Sequence, residues 1–229
     1  MTTATAVKEE GKKGKEEQEE GKKKRPLVIS PPNFKRAIFR IIGIAPYVQL
    51  AFSGKAQNKM REKHEQGSQA KKGIKREKRD FNEDYKNAFH VSTEGWHGIP
   101  AAAFRNAMIS ACRVVGFQMT KAKLSVFVEE DGISKGDGTP MVKIEGTPEK
   151  VVHHVRNATG VADLRARAMW REWAANVTFR WDDDQFSMQD MLNLLARVGL
   201  QVGIGEGRPD SKTSAGMGWG MFKLESDDS

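Results

Sequence analysis

The sequence predicts an α+β fold: an antiparallel sheet with two helices on one face, extra strands and a long basic insert. Three observations carry this expectation. Residues 100–115 and 187–197 place apolar side chains at helical spacing. Short runs around them alternate apolar and polar residues, or are continuously apolar, as strands are. A polar, lysine-rich stretch separates the first apolar run from the first helical one.

The elements follow in chain order. Residues 1–30 are mostly blocks of Lys, Glu and Gly, which cannot bury enough apolar surface to fold. They read as a disordered tail, residues 226–229 as a second tail, and residues 31–225 as one domain. Residues 38–52, IFRIIGIAPYVQLAF, are apolar, β-branched and aromatic, and read as a buried strand. Gly43 and Pro46 interrupt it and predict a bulge, or a bend at a sheet edge. The insert spans 53–95; it has no apolar face up to residue 80 and is mixed and partly ordered beyond.

Pro100 suits the first position of a helix, in which Phe104, Met108, Ala111 and Val115 share a face and which Gly116 closes. Residues 124–129 alternate as a strand, 141–144 form a short one, and 148–155 read as a helical turn or a connection. Leu164, Ala166, Ala168 and Trp170 are apolar on even positions, whereas Trp173, Val177, Phe179 and Trp181 are apolar on odd ones. A one-residue shift turns every side chain over, so a bulge or break is expected near Arg171. Ser187, with Asp190 three residues on, caps the second helix, whose Met188, Met191, Leu192, Leu195 and Val198 face the core. Gly199 ends it. Leu200, Val202 and Ile204 then alternate as a strand entering a glycine-rich loop, and residues 219–224 form the last strand. The order fits a β-α-β-β-α-β, ferredoxin-like core.

Charge is concentrated. The formal net charge is +8. Residues 1–26 hold eight basic and six acidic residues, and residues 55–80 hold ten basic and four acidic, so these two stretches account for the whole excess. Such a bunching points to a polyanion, with nucleic acid as the first candidate, or to a segment kept soluble by its charge. The single cysteine, Cys112, allows no internal disulfide and fits a reducing cytoplasm. No run approaches the ~20 apolar residues of a membrane helix, and no signal-peptide core is seen, so a cytoplasmic protein without membrane contact is expected.

Residues 203–222, GIGEGRPDSKTSAGMGWGMF, hold six glycines. A dinucleotide fingerprint would need a helix after the glycines, where Pro209 stands, and a P-loop would need Gly before Lys212 and Thr213, where Ser211 stands. Taken with IIGIAPYVQLAFSG (41–54) and GIPAAAFRNAMISACR (98–113), in this order, the segment resembles the RAMP superfamily, the RNA-binding proteins of CRISPR systems, and most of all its backbone-subunit branch. The resemblance covers residues 34–224. It implies a modified RNA-recognition-motif fold that binds RNA, often side by side with further copies or with other effector subunits. It also implies a Gly-rich loop after the second helix and an insert that touches the bound strand. The short chain suits a stand-alone relative, for instance one encoded by a bacteriophage.

On this reading the partner is single-stranded RNA, or single-stranded DNA. Gly203, Gly205 and Gly207 would allow close backbone approach, with Arg208 and Lys212 neutralising phosphate; the same loop also suits packing against the first helix. Lys71, Lys72, Lys75, Arg76, Lys78 and Arg79 supply the insert's charge. Arg105 is placed to reach the strand or to form a surface ion pair. Arg165, Arg167 and Arg171 line one strand face beside Trp170 and Trp173, as a strand-binding row or as a solvated face. Trp96 is a stacking platform or a lid on the core. No catalytic residue, metal or cofactor is assigned. A metal-independent endoribonuclease using one of His64, His90, His97, His153 and His154 is the alternative, and an assembly protein without nucleic acid is a third class. The run Asp182 to Asp184 reads as a turn that complements the following helix rather than a metal site.

Overall fold

A computed structural model describes residues 29–51, 79–156, 162–211 and 216–225. The chain divides into units Met1–Pro32 and Asn33–Ser229, and the second holds every described element. The architecture is α+β with antiparallel sheets. In chain order the elements are β1 (Phe34–Gly43), β2 (Tyr47–Gln49), α1 (Phe81–Lys86), β3 (Gly98–Pro100), α2 (Ala101–Val114), α3 (Met119–Ser125), β4 (Val126–Glu129), β5 (Gly132–Ile133), β6 (Pro140–Lys143), β7 (Pro148–Arg156), β8 (Ala162–Trp170), β9 (Ala174–Asp182), α4 (Met188–Arg197), a π-helical turn (Val198–Val202) and β10 (Phe222–Leu224). Among the described residues they form a four-stranded sheet, β10-β1-β9-β4, and two three-stranded ones, β2-β8-β7 and β3-β6-β5.

The expected single sheet is thus split, and one tryptophan explains how. Residues 34–49 and 162–182 run antiparallel, β1 on β9 and β2 on β8, and both break midway. Trp173 lies in the second break. Its carbonyl accepts from the Gly43 N–H at 2.8 Å and its indole N–H donates to the Ala45 carbonyl at 2.9 Å. A Cβ on Gly43 would stand 2.2 Å from the indole nitrogen, so only glycine lets the ring in. The change of apolar face at Arg171 is this break.

Odd-numbered residues of β1 and β9 (Phe39, Ile41, Ala175, Val177, Phe179, Trp181) join Phe104 and Met108 of α2 and Met191 and Leu195 of α4 in one buried core. Such side chains stabilise by about 1.5–3 kcal/mol each on burial. Ser187 caps α4 through a capping box with Asp190.

Several sequence expectations change. Residues 119–125 are helical and the strand starts only at Val126; Leu124 sits on the solvent side of α3, where the alternating pattern misreads it. Residues 148–156 form β7, held by nine residue pairs with β8 rather than by local propensity. Gly199 does not end the second helix. Its missing Cβ admits the Phe222 backbone, whose carbonyl would lie 2.1 Å away, and the chain continues as a π turn to Gly203 at φ 70°. The strand expected from Leu200 to Ile204 is therefore absent from those residues. Val115, Met188 and Leu164 are exposed, Pro100 caps α2 rather than starting it, and Trp219 precedes the last strand. Of the insert, residues 53–78 lie outside the described residues, as does Phe52 before it, and residues 81–86 form α1, capped by Asp80.

Candidate nucleic-acid interface

The face of the four-stranded sheet opposite α2 and α4 is open among the described residues. Pleating puts the even-numbered residues of β1 and β9 there, with Phe127 and Glu129 of β4 and Lys223 of β10. Phe34 and Ile38 are 38% and 61% exposed. Arg36 pairs with Arg180 directly across the ladder, and Arg180 with Phe127 on its other side. Like charges opposite one another destabilise a sheet. The nearby carboxylate, Glu129, is taken by Arg36 at 2.6 Å. Asp182 at the end of the row accepts from the Asp184 N–H. Arg180 rests on aromatic rings instead, 4.8 Å from the Phe34 centroid and 5.1 Å from that of Phe127. Those rings meet edge to face at 5.7 Å. At the far end Arg40 holds Glu145 in a bidentate pair and approaches Glu225 at 3.8 Å; the Arg40 guanidinium holds the Glu145 carboxyl below its usual range.

Arg105 reaches the edge of this face. From α2 it donates to the carbonyls of Val126, at 3.0 Å, and Lys123, covering the free edge of β4, and its guanidinium lies 5.2 Å from the Phe127 centroid. Of the two readings of Arg105, the surface ion pair is not what the described residues show: the partners are these backbone carbonyls.

The other expected residues gather on the β2-β8-β7 sheet and are partnered within the protein. Arg165 pairs with Asp163 at 3.4 Å and Arg171 with Glu149 at 2.7 Å. Arg167 is buried and bonds Glu206 of the glycine-rich loop at 3.1 Å, with its Nε unpartnered among the described residues. Arg79 joins Asp84 at 2.6 Å and Asp163 at 2.9 Å. The loop lies on this sheet: the Glu206 N–H donates to the Val48 carbonyl, and Trp219 stands 4.9 Å from the ring of His153. Gly203, Gly205 and Gly207 all have positive φ. A Cβ would stand 2.5 Å from Tyr47 at Gly205 and 2.4 Å from Trp219 at Gly207, so what approaches these backbones is the protein itself. Arg208 donates back to the Gly205 carbonyl at 3.0 Å. A cleft of about 240 Å³ runs between β2, α2 and this loop, with Asn106, Ser110, Arg208 and Asp210 in its wall.

Trp96 bonds Glu94 and its ring packs over Gly98 and Gly132 of the β3-β6-β5 sheet, as a lid. Lys71, Lys72, Lys75, Arg76, Lys78 and Lys212 lie outside the described residues, as does His64. Burial lowers the pKa values of His90, His97 and His153, with Arg167 adding to the effect at His153. The acidic run turns the chain, the Gln185 N–H donating to the Asp182 carbonyl at 3.0 Å, and Asp183 pairs with Lys35 at 2.6 Å; no cluster of three metal-ligating side chains occurs among the described residues.

Sequence reasoning missed Phe34, Arg36, Phe127 and Arg180. The signal was present: FKRAIFR alternates Phe34, Arg36, Ile38 and Arg40 on one face, but the strand was expected to begin at Ile38 and to be buried. No protein-family model matches the chain, and no curated protein matches it.

Proposed function

We propose that this chain binds single-stranded nucleic acid, RNA in preference to single-stranded DNA, as a non-catalytic protein of RAMP-like type. The observation that carries the reading is the open sheet face, where Arg36 and Arg180 face each other with one carboxylate between two cations and two phenylalanine rings beside them. Phosphate supplies the missing anion, and bases have planar faces that stack on rings and guanidinium groups. The element sequence β1-α2-β4-β9-α4-β10 with sheet order β10-β1-β9-β4 supports a ferredoxin-like, modified RNA-recognition-motif core in this reading. The basic stretch at 55–80 adds sequence-independent affinity.

Polarisation titrations of labelled single-stranded RNA, single-stranded DNA and duplex DNA at two salt concentrations test this. Both single strands should bind, RNA more tightly, with affinity falling steeply with salt, and the strands should stay intact. Tighter binding to duplex, or no salt-dependent binding, would refute it.

A further inference from the structure

Arg105 and Arg180 flank the same ring but are held differently. Arg105 is fixed by two backbone carbonyls. Arg180, an exposed residue, has no carboxylate or carbonyl partner among the described residues and lies over the rings of Phe34 and Phe127. Its neighbour across the ladder, Arg36, holds the adjacent carboxylate. Arg180 therefore lies over the rings, and among the described residues no ion pair or hydrogen bond keeps it there.

We propose that Arg180 is an exchangeable occupant of a base-stacking site formed by Phe34 and Phe127. When a strand binds, a base takes the rings and the guanidinium passes to the adjoining phosphate. The inference rests on the single-strand reading above and deepens it: the ligand unit is a base with its phosphate, not a base alone. An uncharged nucleoside displaces the cation and gives it nothing in return. A nucleotide in a strand displaces it and pairs with it. An exposed cation–π contact weakens a competing ligand by about two- to fivefold.

The experiment compares wild type with Arg180→Ala and Arg180→Thr, the second keeping a residue suited to a strand. Two probes are used: 2-aminopurine riboside, read by its fluorescence, and a labelled single-stranded RNA, read by polarisation across a salt series. Removing Arg180 should tighten the nucleoside about two- to fivefold and weaken the RNA. It should also make the log–log salt slope shallower by about 0.7, the value of one neutralised phosphate on a single strand. Phe127→Ala should weaken both probes. Opposite signs for the two probes are what a structural role of Arg180 would not produce. The inference is overturned if wild type binds RNA but the nucleoside is unchanged, weakened or unbound in both Arg180 variants, or if their salt slope equals that of wild type. If wild type binds no single strand, the functional reading falls, and this inference with it.

Discussion

At the scale of single residues, the histidines set the response to acid. His90, His97 and His153 are held below the ordinary value near 6.5, chiefly because burial disfavours the charged ring. At His153 a buried Nδ1 has no partner among the described residues, the ring lies against Trp219, and Arg167 is nearby as a repelling cation. The unfolded chain takes up protons as the pH falls through about 6.5, while the folded chain resists until lower pH. Stability is therefore complete above that value and is lost as the pH drops below it toward the lowered folded values. Thermal midpoints followed by circular dichroism should fall between about pH 7.5 and pH 5.5. His153→Gln should flatten that fall. A midpoint that does not move over this range would show that the three rings gain no proton on unfolding. The depressed carboxylates of Glu145, Asp163 and Asp190 act in the same direction but at lower pH, below the ordinary carboxylate range.

At the scale of elements, the glycine-rich loop is an element of packing. Gly205 has φ 77°, and a side chain there meets the Tyr47 ring and, at 2.7 Å, the Val48 carbonyl. Backbone strain and overpacking each cost about 1–3 kcal/mol. Gly205→Val should therefore lower stability by about 3 kcal/mol or more in denaturant titration, while the folded fraction binds single strands as wild type does, because the loop lies on the β2-β8-β7 sheet. A folded variant that binds tenfold more weakly would place the loop on the strand instead. The same loop shows what was legible beforehand. Its glycines were visible, but what they approach was not, because Tyr47, Val48 and Trp219 are brought there only by tertiary structure. The capping box at Ser187, the helix facing Phe104 and Met108, and the break at Arg171 were readable because local pattern determines each. β7 was not, since PEKVVHHVR has no strand alternation of its own and is a strand because β8 lies beside it. The alternation of β1 was readable in FKRAIFR, but the pairing that completes the open face was not. Phe34 and Arg180 are far apart in sequence, and neither carries a local signal that the other is its neighbour.

At the scale of the whole molecule, residues 1–26 and 55–80 account for the +8 charge, and most of them lie outside the described residues. Within the described residues, most of the arginines expected to meet a strand are answered: Arg165, Arg167, Arg171 and Arg79 each have a carboxylate, as does Arg40. Residues 55–78 hold nine basic and three acidic residues, a net +6. If this stretch serves affinity, the folded unit should not need it, whereas Arg79, which ties α1 to β8 through Asp163, should be kept. Replacing residues 55–78 by a short Gly/Ser linker should leave the thermal midpoint nearly unchanged. Binding of single-stranded RNA should weaken, and the log–log salt slope should become shallower by about 0.7 for each phosphate that the stretch had neutralised. The residual affinity should then depend on the open face: in the deletion protein, Arg36→Ala and Phe127→Ala should each weaken binding further. An unfolded deletion protein would assign the stretch to the core. Undiminished binding with an unchanged slope would leave the open face as the whole interface. A deletion that removes all binding at low salt, with the fold intact, would instead make the basic stretch the interface and the phenylalanine–arginine face a structural one.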